Sequence, residues 1–197
     1  MPASSGDVRA KFIAAALDLQ LEVGLDEPSI VDVCTRAGFA RATFYEYFAD
    51  REALIAATLD ALVGHFVDLV VDDDPGDVRA MVQRFMVAMG TGDRVIGGTG
   101  AWSFRDTLRV LAKSPRVRAG YVSRVSELGK RIEANVLLGQ RAGKVRADVS
   151  PAAISGLLVG LAFGAIAMID FGAEVDFAAV ANGLVTTLEA RGPERGT

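Results

Sequence analysis

The chain has 197 residues, 51% of them hydrophobic, with 25 acidic and 21 basic side chains, one histidine and one cysteine. A single cysteine closes no intramolecular disulfide, and one histidine with one cysteine builds no His/Cys metal cage, so disulfide-stapled scaffolds and zinc modules are excluded and a reducing compartment is expected. The hydrophobic fraction excludes a disordered chain, and a net charge of -4 gives no overall basic footprint, so any contact with nucleic acid must come from local geometry.

Apolar residues recur at helical spacing almost throughout and strand alternation is hard to find, which predicts an all-α fold. Residues 1–7 are small and polar, lack the features of a secretory signal, and read as a frayed tail. A first helix is expected over 8–23, with Phe12, Ala16, Leu19 and Val23 on one stripe and Gly24 as its stop. Ser29 is placed to cap a short helix ending near Arg36, and Asp32 completes a capping box. Ala37-Gly38-Phe39 forms a turn, a second short helix follows over 41–47, and Asp50 caps a longer one over 51–71. The run Asp72-Asp73-Asp74-Pro75-Gly76 is the clearest break. Beyond it helices are predicted at 77–89, 102–113, 115–140, 150–171 and 176–191, with Ser114 and Pro115 opening the third. The glycines of residues 90–100 are too irregular for a phosphate-binding fingerprint and read as a loop.

Two short helices joined by a glycine-bearing three-residue turn, with a supporting helix before them, have the dimensions of a helix-turn-helix. In that geometry the second helix enters the major groove, while amides and hydroxyls at helix starts take phosphates. Ser29 and Arg51 sit at two such starts, and Tyr45 and Tyr47 offer hydroxyls on exposed aromatic stems at the groove edge. Arg41, Ala42 and Thr43 then face the bases. Phe44 and Phe48, four apart on one face, are expected in the core.

The segment 13–54 resembles the DNA-binding domain of the tetracycline-repressor (TetR-like) family of bacterial transcription regulators. The resemblance rests on AAALDL before Gly24 and on AGFARATFYEYFADREAL, in which Ala37-Gly38, Thr43, Phe44-Tyr45, Phe48 and Arg51-Glu52-Ala53-Leu54 fall at the family's positions. It implies DNA contacts by Ser29, Arg41, Thr43, Tyr45, Tyr47 and Arg51. It implies too that a helix-turn-helix domain over 1–54 is followed by a helical ligand-binding and dimerisation domain over 55–197. Three residues depart from the pattern: Gln20 replaces a large aromatic, Ala40 replaces a serine cap, and Glu46 puts a negative charge on the recognition helix. Glu46 reads either as a solvated residue or as an acceptor for a cytosine amino group. Residues 1–60 hold five basic and ten acidic side chains, a balance that predicts modest non-specific affinity.

Residues 105–146 reverse that balance, with eleven basic and three acidic side chains, which read as solvated helix faces ahead of a second nucleic-acid surface or attraction for an anionic ligand. The apolar set Phe85, Met86, Met89, Trp102, Phe104, Tyr121, Phe163 and Met168 suits an adaptable pocket, although the same residues at helical spacing also fill ordinary cores; the resemblance favours the pocket. Residues 152–169 are uncharged and reach the lower edge of a membrane span, yet their Ala/Gly content and lack of a Trp/Tyr belt favour a buried or dimer-forming helix. Gly156, Gly160 and Gly164 line one face of it, and with Leu157, Leu161, Val180 and Leu184 they form the expected dimer interface. No Ser-His-Asp or Cys-His arrangement or paired-carboxylate site appears, His65 has no catalytic partner nearby, and Cys34 reads as a small core residue. The expectation is a cytoplasmic homodimeric regulator, not an enzyme and without cofactor or metal, most simply a repressor released from a double-stranded DNA operator by a small, largely apolar effector. The rival is a helical scaffold whose degenerate helix-turn-helix binds no DNA.

Overall fold

The computed structural model describes residues 5–71, 74–90 and 103–189. The described residues fold as helices α1 (Ser5–Val23), α2 (Ile30–Ala37), α3 (Arg41–Tyr47), α4 (Arg51–Phe66), α5 (Val78–Gly90), α6 (Phe104–Lys113), α7 (Pro115–Arg141), α8 (Pro151–Asp170) and α9 (Phe177–Leu188). Their only extended pairing is a single bridge between Val145 and Glu189.

Local hydrogen bonding sets most of the boundaries. At α2 the Asp32 amide donates to Ser29 Oγ (3.2 Å) and the Ser29 amide donates to Asp32 Oδ2 (2.9 Å), so two orphan donors are satisfied reciprocally. Gly38 closes the same helix at φ 75, its amide donating to the Cys34 and Thr35 carbonyls. Asp50 Oδ1 accepts from the Ala53 amide (2.8 Å) at the start of α4, and Ser114 Oγ accepts from Val117 (3.2 Å) at the start of α7. A second capping box, Ser103 with Asp106, begins α6 two residues inside the range expected from periodicity. The expected continuous helix to residue 71 instead ends in a π-helical turn, Val67–Val71. There the Val70 carbonyl, one of the last carbonyls of the helix and so without an intrahelical partner, accepts two bonds from the Arg84 guanidinium (3.2 and 3.0 Å).

Two compact units emerge. The first gathers the described residues up to 64 with 103–124, the second 65–90 with 125–189. In the first, α1 packs on α2 and α2 on α3 around Phe12, Phe44, Phe48, Val33 and Leu54, all buried. Phe12 meets Phe44 and Phe48 edge-on at centroid distances of 5.6 and 6.2 Å. Gln20, where the resemblance anticipated an aromatic, is 2% exposed and donates through Nε2 to the Leu25 carbonyl (3.3 Å), tying down the loop after α1. In the second unit α5 packs on α9, and Phe66 lies 5.8 Å from Phe85. Gly139 is required there because a Cβ would lie 2.7 Å from the Gly76 carbonyl oxygen and 2.8 Å from Val145 Cγ2.

Candidate nucleic-acid interface

Helix α3 has one face in the core and one in solvent. Phe44 is fully buried, which fixes the rotation of the helix, and Arg41, Ala42, Tyr45 and Glu46 are then exposed side by side. Thr43 is half-buried. Tyr47, expected to be exposed like Tyr45, is half-buried instead, its ring 6.4 Å from Phe12. The reason is rotational: a residue three past Phe44 shares its side of the helix, whereas Tyr45 is turned outward and is 47% exposed. Ala40 caps α3 without a side-chain hydrogen bond, as its methyl requires.

The side chains at the two helix starts are engaged within the protein. The Ser29 hydroxyl donates to Asp32 Oδ2 (2.6 Å) while accepting from the Asp32 amide, and the hydrogen bonds from Ser29 hold the Asp32 carboxyl below its ordinary range. Arg51 donates from Nε to the Pro28 carbonyl (2.8 Å) and pairs with Asp26 (2.7 Å), bracing the loop before α2 against the start of α4. On the exposed face, Arg41 donates to the Tyr45 hydroxyl (3.1 Å), and its guanidinium carbon lies 5.7 Å from the ring centroid.

The acidic excess of residues 1–60 is answered inside the same compact unit by the basic run that follows. Lys113 pairs with Asp26 (3.5 Å), Arg116 with Asp50 and with Glu52 (3.4 Å), and Arg124 with Asp60 (2.9 Å). The Ser114 hydroxyl donates to Glu52 (2.9 Å). Arg116, with the Ala53 amide, keeps the Asp50 carboxyl below its usual range. Such part-exposed pairs are each worth only about 0–1 kcal/mol, so their consequence is charge balance and position rather than stability. The corner between α6 and α7 thereby meets both the loop before α2 and the start of α4. Sequence reasoning missed this because the partners stand 62 to 87 positions apart and only the surplus of opposite sign in the two stretches hinted at it.

The expected pocket residues distribute over both units. Phe85 and Met86 are buried, Phe163 is half-buried and Met168 is 47% exposed, all in the second unit. Phe104 and Tyr121 are half-buried in the first, and burial pushes the Tyr121 phenol up to about 12. Trp102 and the Met89 side chain lie outside the described residues. Gly156, Gly160 and Gly164 are exposed, Leu157 is 63% exposed, and Leu161, Val180 and Leu184 are half-buried. Two helical stretches, Arg51–Val71 and Pro151–Asp170, are long and apolar enough to cross a membrane by length and composition. Among the described residues no group of three or more His, Cys, Asp or Glu is placed to hold a metal ion. Cys34 is buried beside Val33 and Phe44 in the core cluster, and desolvation pushes its thiol up.

Helices α1 to α3 thus define a helix-turn-helix module, with a core-locked third helix that turns a mixed polar face outward. Residues 12–58 match the family model described as "Bacterial regulatory proteins, tetR family". The chain is 38% identical over 77 residues to the uncharacterized HTH-type transcriptional regulator YvdT of Bacillus subtilis, a match spanning 39% of this chain and 40% of that one. The fold extends further: the TetR-family regulator from Cytophaga hutchinsonii superposes over 98% of this chain and 100% of its own with a TM-score of 0.73 at 17% identity. GusR of Salmonella enterica does so over 94% and 97%, with a TM-score of 0.73 at 18% identity. YvdT and the Cytophaga protein carry the names of transcriptional regulators, not of enzymes.

Proposed function

We propose that the chain is a cytoplasmic, ligand-responsive transcriptional repressor that binds a double-stranded DNA operator as a homodimer. The observation that carries this reading is the exposed face of α3, with Arg41, Ala42, Tyr45 and Glu46 set in rigid register by Phe44 and Phe48 in the core. Arg41, Ala42 and Thr43 meet the bases, and Tyr45, Tyr47, Ser29 and Arg51 position the module, the last two through the helix starts they brace. Phe85, Met86, Met89, Trp102, Phe104, Tyr121, Phe163 and Met168 supply apolar surface for a small effector. Effector binding changes the separation of two recognition helices, which must match half-sites about 34–36 Å apart or a multiple of it. The second subunit covers the open glycine face of α8, with Leu157, Leu161, Val180 and Leu184 completing the contact.

The rival scaffold reading drew its support from the acidic N-terminal balance. Lys113, Arg116 and Arg124 offset Asp26, Asp50, Glu52 and Asp60, so the charge argument against DNA binding weakens. Selection from a pool of random duplexes at fixed salt tests the proposal. Enrichment of an inverted repeat by the dimeric protein supports it. Binding no tighter to the enriched pool than to the starting pool refutes it.

A further inference from the structure

We propose that Arg41 reads a guanine in each operator half-site and that Tyr45 is the positioning residue that holds it in place for this contact. The inference rests on the DNA-binding reading above and names which base pair that helix face selects.

Arg41 is the first residue of α3, the end of a recognition helix from which side chains reach base edges. Its neighbour one turn on is Tyr45, four residues away on the same exposed face. Two contacts join them: a hydrogen bond of 3.1 Å from Nη2 to the phenol oxygen, and the approach of the guanidinium carbon to 5.7 Å from the ring centroid. A guanidinium carries five donors, and the hydroxyl takes one. Those remaining suffice for the two parallel bonds that match guanine O6 and N7. A freely rotating arginine must be ordered when DNA arrives, whereas Arg41 is already drawn to one side of its helix by Tyr45.

The surroundings favour a base over a phosphate. Ala42, beside Arg41 on the exposed face, carries only a methyl group and lets the helix approach the groove floor closely. Glu46, on that face too, repels phosphates, so the exposed strip as a whole is poorly suited to sequence-blind attraction. A phosphate contact would carry no sequence preference, and this difference makes the two roles separable.

The test uses the full-length protein and a random duplex pool. Wild-type protein should enrich half-sites with one invariant guanine. Arg41→Ala should lower discrimination at that base pair by about 5- to 150-fold and leave the other positions unchanged. Arg41→Gln should move the preference from guanine to adenine, because a carboxamide pairs with adenine N6 and N7. Tyr45→Phe removes the hydroxyl that accepts from Arg41 and should erode the guanine preference by a smaller factor. In the Arg41→Ala background the same change should have no effect at that base pair, which a purely structural or phosphate-contacting tyrosine would not predict. Circular dichroism of each variant checks that these exposed substitutions leave the fold intact. Retention of the guanine preference by Arg41→Ala or Arg41→Gln overturns the proposal while leaving the DNA-binding reading standing. Failure of the wild type to enrich any sequence overturns both.

Discussion

Gly160→Leu separates the fold of one chain from the association of two. Gly156, Gly160 and Gly164 form a row along α8, and a Cβ added at any of them would meet nothing within 4 Å among the described residues. A Cβ at 160 therefore meets no described residue of its own chain. Glycine inside a helix is about 0.8–1.0 kcal/mol less favourable than alanine, and leucine is close to alanine, so the variant chain by itself should gain roughly that amount. For a protein of 150–250 residues this corresponds to a rise of about 2–4 °C in the midpoint of a monomer. In a dimer packed along this row the leucine fills the groove and forces the partner backbone away. Light scattering should report a monomer for Gly160→Leu and a dimer for the wild type. Thermal scans should show a midpoint that rises with protein concentration only for the wild type. Operator affinity should fall steeply, since one half-site supplies part of the contacts. A folded Gly160→Leu protein that remains dimeric refutes the assignment of the interface, and a wild-type monomer refutes the dimer.

Other outcomes follow from local geometry. Gly139→Ala places a methyl group 2.7 Å from the Gly76 carbonyl oxygen, and since backbone cannot step aside cheaply, urea unfolding should show a loss of about 1–3 kcal/mol; an unchanged midpoint would show that the contact relaxes freely. Ser29→Ala removes the hydroxyl that accepts from the Asp32 amide, leaving the backbone half of the capping box at α2, and should cost about 1 kcal/mol in the same assay, whereas an equal cost for Ser29→Thr would implicate something other than the cap. Arg116 lowers the Asp50 carboxyl, and the Ala80 amide, ahead of Lys144, lowers that of Asp77. Depressed folded-state values stabilise above the ordinary carboxylate range and lose that contribution as pH falls through it, so the thermal midpoint should be flat near neutrality and drop below about pH 4. Asp50→Asn should flatten that drop, and an unaltered acid limb would remove Asp50 from the account. Cys34, buried with a raised thiol pKa, should resist thiol reagents in the native protein and react on unfolding; rapid native labelling would contradict its burial.

What the sequence by itself determined is what depends on neighbours three or four residues away. The helix boundaries at Ser29, Gly38, Asp50, Ser114 and Ser150 were legible because a cap is a hydrogen bond between residues close in the chain. Phe44 and Phe48 were legible as core residues from their spacing, and the motif around them carried the resemblance to the family whose model matches residues 12–58. Tyr47 was expected in water with Tyr45, although its spacing of three from Phe44 already puts it on the core side of the helix. Not legible was the π-helical turn at Val67–Val71, whose Val70 carbonyl accepts from a guanidinium of α5. The tertiary structure alone brought the α6–α7 corner to the recognition module, where Lys113, Ser114 and Arg116 meet Asp26, Asp50 and Glu52. It alone, too, left the glycine row of α8 without a near neighbour among the described residues. Both depend on which surfaces meet after the helices have formed, and long-range pairing of charges leaves no period in the chain by which it could be read beforehand.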